Sequence, residues 1–168
     1  MTERDSPAPR APAALPAVVS VKAVTSESNP FLDPDGGGRV TAEGTGIVVG
    51  SGGEILTIAH AVRGAAGGAS AVTVTFHDLS TRAARIVAVD SGHDLALLKV
   101  AVVGKLPVLE LGDSGSASPG PLLDSGGHVI GINTMVATST ARTAANGIGF
   151  AIAADTVKAL LPALRAGG

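Results

Sequence analysis

The sequence predicts an all-β domain closed by one C-terminal helix. Short runs of apolar and β-branched residues recur with turn signals between them, at the ~8–12-residue spacing of a sandwich or barrel. Glycine is abundant, 23 in 168 residues, which favours tight turns over a helical bundle. Helical periodicity shows clearly only near the C-terminus. The chain has three Phe and neither Trp nor Tyr, so its core must be packed from Val, Ile, Leu and Ala.

The elements follow in order. Residues 1–16 (MTERDSPAPRAPAALP) read as a disordered leader rich in Pro, Ala and charge. They lack the apolar h-region of a secretory signal, so nothing in this sequence predicts export and a cytoplasmic location is the default. AVVSVKAVT (Ala17 to Thr25) is the first strand, and Ser26 to Gly44 is expected to be a long loop punctuated by Pro and Gly. GTGIVVG (Gly44 to Gly50) and EILTIA (Glu54 to Ala59) flank Ser51-Gly52-Gly53, a hairpin signature. In AVTVTFHD, Val72, Val74 and Phe76 alternate with Thr73 and Thr75, as a half-buried strand requires. RAARIVAVD, DLALLKV and PVLELG add three strands, PLLDSGGHVIGINTMV a hairpin and GIGFAI (Gly147 to Ile152) the last, about nine in all. The closing helix takes Asp155 as its N-cap and sets Val157, Leu160, Leu161 and Leu164 on one face, with Pro162 expected to kink or end it.

Composition excludes several functions. A net charge of −2 gives no electrostatic case for nucleic acid or an anionic membrane. There is no cysteine for disulfides or thiol chemistry, and no apolar run near the ~20 residues of a membrane span. His77, His93 and His128 lie near Asp residues but without close ligand spacing, so solvated side chains are expected there and no metal site.

Two segments point to chemistry. LTIAH places His60 at a strand end, where a fixed backbone can hold an imidazole in a cleft as a general base. HDLALLKV places Asp94 directly before an apolar strand, where a partly desolvated carboxylate can accept the histidine N–H and fix its tautomer. Singly, each residue is as well explained as an ordinary surface histidine and a turn aspartate.

Together and in this order the segments resemble the HtrA-type (Deg-like) branch of the trypsin-like serine proteases. PAVVSVKA resembles the opening strand of that family, GTGIVVG…GEILTIAHAV its histidine block, DLALLKV its aspartate block, and LPVLELGDS the strand after it. PLLDSGGHVIGINT and GIGFAIAADTVKALLPAL are similar to its final strands and helix, so the resemblance runs from Pro16 to Leu164. It implies a double β-barrel with the first barrel near complete over residues 17–112, and a remnant of the second with the C-terminal helix over 113–168. It also implies peptide-bond hydrolysis with His60 as base and Asp94 as its orienter, on peptide or unfolded protein substrates, with no cofactor. Gly147, Ile148 and Gly149 match the wall of the substrate pocket. An oligomer is compatible with the family, though only Phe31 resembles its aromatic trimer contacts.

The match fails at the nucleophile. The family carries several strands and GNSGGPL where this chain runs from LGDSGSASPG straight into PLLDSGG, so the second barrel should be truncated. Ser114 spells GDSG but aligns with the strand after the aspartate block, and Ser125 follows PLL, where a hairpin turn belongs. Ser118 is in register, yet Ser116 and Pro119 stand where the family has glycines and Ala117 where it has Asn or Asp. Pro119 restricts Ser118 to extended geometry, away from the turn that splays oxyanion-hole N–H groups inward. The expectation is therefore a serine endopeptidase domain with impaired or absent catalysis. The alternatives are a non-catalytic pseudoprotease that binds extended peptides, or an internal-deletion product without selected function.

Overall fold

Alternation decides the strand faces, and the faces close a barrel. The computed structural model describes residues 14–26, 39–65, 71–102, 104–114, 122–124, 126–136 and 149–167. Six strands, β1 (Val18–Ser26), β2 (Arg39–Gly50), β3 (Glu54–Ile58), β4 (Ala71–Thr75), β5 (Thr81–Asp90) and β6 (Leu95–Val100), form a closed antiparallel barrel in the order β1-β2-β3-β6-β5-β4. β4 returns to β1 through Val21↔Val74, so no edge is left open. Register shifts at Val48/Gly50 and Ile86/Ala88 mark bulges, which supply the local bend that a six-stranded closure needs.

The interior is filled from one side of each strand. Val21, Ile55, Val74 and Leu98 are fully buried, and Val72, Val74 and Phe76 share a buried face as their alternation predicts. Gly46 is required in this layer: a Cβ there would meet side chains of Ile55, Val21 and Val19 at 2.9–3.1 Å. Thr57, the buried polar residue of the core, donates its hydroxyl to the Thr45 carbonyl at 2.9 Å. A second row, Ile47, Leu56 and Leu97, is aligned across β2, β3 and β6 and is buried as well. Both faces of β6 are therefore covered, which explains why LALLKV is a continuous apolar run.

The remaining elements pack against that barrel. β7 (Gly131–Val136) and β8 (Gly149–Ala153) pair with one another in a separate two-stranded sheet. The helix α1 (Ala154–Arg165) contacts β5 and β6, burying Val157, Leu161 and Leu164, with Leu160 partly buried. Arg165 fastens its end to the start of β3, donating from Nε (3.0 Å) and Nη2 (2.6 Å) to Glu54 Oε2.

Four expectations are corrected. β2 begins at Arg39, so RVTAE is strand and not loop; Val40 and Ala42 alternate with polar residues, and the ladder with β1 (Ser26↔Arg39 to Val18↔Ile47) fixes them. PVLELG forms no strand; Leu111 makes only an isolated parallel bridge to Val129. The barrel has no free edge to offer it, and its backbone is satisfied by Leu109 N–H to the Val48 carbonyl (2.9 Å) and by the Glu110 carbonyl accepting Val129 N–H (2.9 Å). Eight strands therefore stand among the described residues. Pro162 does not end the helix, which runs on to Arg165; it forfeits one ladder bond, to the Lys158 carbonyl, while burial of Val157, Leu161 and Leu164 holds the turn in place. Asp155 is not the N-cap; Ala153 is, without a side-chain bond.

The β4–β5 turn carries a testable strain. Phe76 N–H bonds the Ser80 carbonyl and Leu79 N–H bonds the Phe76 carbonyl, both at 2.9 Å, which makes a three-residue loop whose last position is left-handed. That position is Leu79, at φ 65° and 82% exposed. A left-handed Cβ costs ~1–2 kcal/mol and so exposed a leucine gains little packing in return. Leu79→Gly is expected to raise stability by ~0.5–1 kcal/mol in urea unfolding; a loss would mean that Leu79 makes contacts worth more than its strain.

Candidate active site

His60 stands in a short 3-10 turn, Ala59–Ala61, directly after β3. β3 lies between β2 and β6, so the turn leaves from a strand held on both sides. Asp94 is the residue before β6 and has φ 55°, a left-handed conformation that Asp tolerates better than most residues. It grips the histidine turn three times. Its carbonyl accepts Ala59 N–H (2.9 Å), its Oδ1 accepts His60 N–H (2.9 Å), and its Oδ2 lies 2.8 Å from His60 Nδ1. A carboxylate can only accept, so Nδ1 carries a proton, and in the neutral ring the lone pair is therefore on Nε2. The His60 side chain is 52% exposed and that of Asp94 26%.

The pairing by itself is not distinctive. His93 sets its N–H on Asp90 Oδ1 (3.1 Å) and its Nδ1 2.8 Å from Asp90 Oδ2; His128 does the same with Asp124, at 2.9 and 2.8 Å. These two are therefore paired rather than simply solvated, correcting the sequence expectation. The ring bond to His93, then its N–H, hold the Asp90 carboxyl below its ordinary value of 3.8; for Asp124 the His128 N–H leads and the ring follows. Both are local turn contacts, three and four residues apart, whereas His60 and Asp94 are brought together across 34.

Location separates His60 from the others. It lines a cavity of about 500 Å³ that His93 and His128 do not. The cavity lies between β2–β3 and the C-terminal half, walled by Val18, Ile47, Leu56, Leu122, Val129 and Ile132. Glu43, Thr45, Asn133 and Thr134 bring its polar groups, and they come from strands whose neighbourhood no local motif announces. Among the described residues no group of three or more His, Cys, Asp or Glu is arranged to hold a metal ion, and no helix is long and apolar enough to cross a membrane.

Ser114, the serine of GDSG, is committed elsewhere. Its hydroxyl donates to Asp155 Oδ2 at 2.7 Å, its backbone N–H reaches the same oxygen at 3.1 Å, and Asp155 N–H donates back to Ser114 Oγ at 3.1 Å. Ser114 thus does for the first turn of α1 what a local N-cap would do. The Ser114 bond, and after it Lys158, hold the Asp155 carboxyl below its ordinary 3.8. A depressed carboxyl stabilises the fold above its unfolded value and ceases to do so as pH falls through its folded value. Ser114→Ala is therefore expected to lower the melting temperature at pH 6, with the deficit narrowing below pH ~4. An equal deficit at pH 3 would overturn the contact as the cause. Ser118, Ser125, Gly147 and Ile148 lie outside the described residues; Gly149 opens β8 opposite Val136.

A closed six-stranded barrel that sets a histidine after β3 against an aspartate before β6 has the architecture of a trypsin-like peptidase, and residues 44–121 match the family model of the trypsin-like peptidase domain. More narrowly, the chain carries a trypsin-like domain homologous to the serine proteases of the HtrA type. It is 30% identical to HhoA of Synechocystis sp. over 225 residues, covering 91% of this chain and 55% of that protein. It is 38% identical to the serine protease HTRA1 of Xenopus laevis over 106 residues, covering 63% of this chain and 22% of the relative. The chain thus spans about half the length of the first and under a quarter of the second. Among the described residues the fold is one closed six-stranded barrel with a separate β7–β8 sheet and one C-terminal helix, consistent with a trypsin-like barrel fold that is truncated.

Proposed function

We propose that this chain is an HtrA-type serine endopeptidase domain whose peptide-bond hydrolysis is impaired because the nucleophile segment is missing. The observation that carries the first half is the His60–Asp94 contact, 2.8 Å between Nδ1 and Oδ2, at the mouth of the cavity. In this reading His60 is the general base, Asp94 orients it, and Ser118 is the candidate nucleophile, with Gly147 to Gly149 along the substrate. Residues 17–112 form the lobe that carries base and orienter, and 113–168 the remnant of the nucleophile's lobe.

The second half rests on sequence around Ser118 and on alignment length. The match to HhoA spans 225 residues, more than this whole chain of 168, so the relative carries residues without a counterpart here. A nucleophile needs a supporting shell within ~0.5 Å of its working position, and strands lost beside Ser118 remove it. A fluorophosphonate probe tests the point: the folded chain is expected to show no labelled band and no casein hydrolysis above buffer. Stoichiometric labelling would overturn the impairment and restore an active peptidase.

One observation favours the non-catalytic alternative as a second reading. Among the described residues β7 and β8 pair only with each other, and a two-stranded sheet exposes ladder edges that can accept an extended peptide. Peptide binding of that kind should survive His60→Ala, and its loss in that variant would count against it.

A further inference from the structure

We propose that His60 and Asp94 work without a serine, as a general base for water against small activated esters whose acyl chain sits in the apolar cavity. This rests on reading His60 as a base and goes beyond it in substrate and in nucleophile. Three observations support it. Asp94 Oδ2 holds Nδ1 at 2.8 Å, which leaves the Nε2 lone pair as the ring's basic site, and no described residue bonds Nε2. The ring is half exposed and borders the cavity. At about 500 Å³ the cavity is the size of a small-molecule site, and Val18, Ile47, Leu56, Leu122, Val129 and Ile132 make its wall aliphatic.

The chemistry suits an ester better than a peptide. An amide's amine must be protonated before it leaves, and its tetrahedral intermediate needs a built oxyanion hole. A 4-nitrophenyl ester expels a stable phenolate, so its leaving group needs no proton and its tetrahedral intermediate collapses with far less help from an oxyanion hole. Water gives one proton to His60 Nε2 while its oxygen bonds the acyl carbon; the bond from that carbon to the aryl oxygen then breaks. The proton passes from Nε2 to the phenolate or to solvent, and a carboxylic acid and 4-nitrophenol are the only products. The imidazolium formed on the way is stabilised by Asp94.

The aliphatic wall sets the specificity. Each methylene moved from water into it should raise kcat/KM about 3-fold, on the order of 10²-fold from acetate to hexanoate. His93 and His128 carry the same aspartate clamp but do not border the cavity, so they serve as internal controls.

Hydrolysis of 4-nitrophenyl acetate, butyrate and hexanoate by the full chain tests the proposal. Rates should climb with chain length, persist after diisopropyl fluorophosphate, fall at least 10-fold in His60→Ala and in His60→Gln, and stay unchanged in His93→Ala and His128→Ala. Thr45→Phe, placing a ring in the cavity from β2, should remove the gain on hexanoate. Rates blind to chain length, abolished by diisopropyl fluorophosphate, or intact in both His60 variants would overturn it. Nitrogen NMR of His60 separates the two levels. Without an Nδ1–H, Nε2-lone-pair tautomer the base reading itself fails; with that tautomer but no chain-length-dependent hydrolysis, only this proposal does.

Discussion

Asp94→Asn is expected to leave the barrel folded and to abolish whatever hydrolysis depends on His60. Asn tolerates the left-handed backbone that Asp94 adopts at φ 55°, and its amide oxygen can still accept the His60 N–H now bound at 2.9 Å. The second contact cannot survive in kind. Where Oδ2 accepts from Nδ1 at 2.8 Å, an amide nitrogen would donate, forcing the proton onto Nε2 and removing the lone pair from the reactive side. Loss of the correct tautomer in a dyad of this kind costs up to ~10⁴ in rate. The stability cost should be only ~1 kcal/mol, since one of two charge-assisted bonds is replaced rather than deleted. Asp94→Ala should be more destabilising, removing both side-chain acceptors and costing ~2–3 kcal/mol. Nitrogen shifts of His60 together with urea unfolding of both variants check the pair. An unchanged tautomer in Asp94→Asn would refute the role given to Asp94.

Gly53→Ala is expected to be the most damaging one-carbon change in the barrel, at ~2–5 kcal/mol. Gly53 closes the β2–β3 turn with φ 99°, its N–H bonded to the Gly50 carbonyl at 2.9 Å. A Cβ there would collide with the Val100 carbonyl oxygen and press the Val100 and Val102 side chains at 3.1 Å. The left-handed backbone contributes ~1–2 kcal/mol and the overpacking ~1–3 kcal/mol. The Val100 oxygen cannot move aside cheaply, because Val100 N–H is bonded to the Gly53 carbonyl at 3.0 Å and ties the turn to the end of β6. Gly52→Ala is the control. Its Cβ would meet only the tip of the Lys99 side chain, at 3.5 Å, so a change within ±0.5 kcal/mol is expected. Equal midpoints for the two variants in urea would show that the turn relaxes freely.

Both predictions turn on features that were partly legible in the chain. SGG between two apolar runs announces a tight turn, but only the barrel shows that the turn leans on Val100. Residues 54–60 and 94–100 single out His60 and Asp94 through their flanking blocks, and the fold sets Nδ1 and Oδ2 2.8 Å apart. Where expectation failed, the missing information lay in a distant partner. RVTAE does alternate, Val40 and Ala42 between polar residues, but it is short and follows a Pro- and Gly-rich stretch; its pairing with β1 decides that it is strand. PVLELG alternates well yet finds no open ladder. The cap of α1 comes from Ser114, 41 residues before Asp155, where no N-terminal signature would look for it.

The sequence by itself determined the fold class, the apolar rows of the strands, the helix face and the histidine and aspartate blocks. Those are set by periods of two and 3.6 residues and by short contiguous motifs, all readable along one segment. Only the tertiary structure decided which of three similar His–Asp clamps borders a cavity, and that the GDSG serine holds a helix. The reason is physical: a cavity wall and a cross-chain cap are made by residues far apart in sequence, and only the packing of the C-terminal segments on the barrel and on one another brings them into contact.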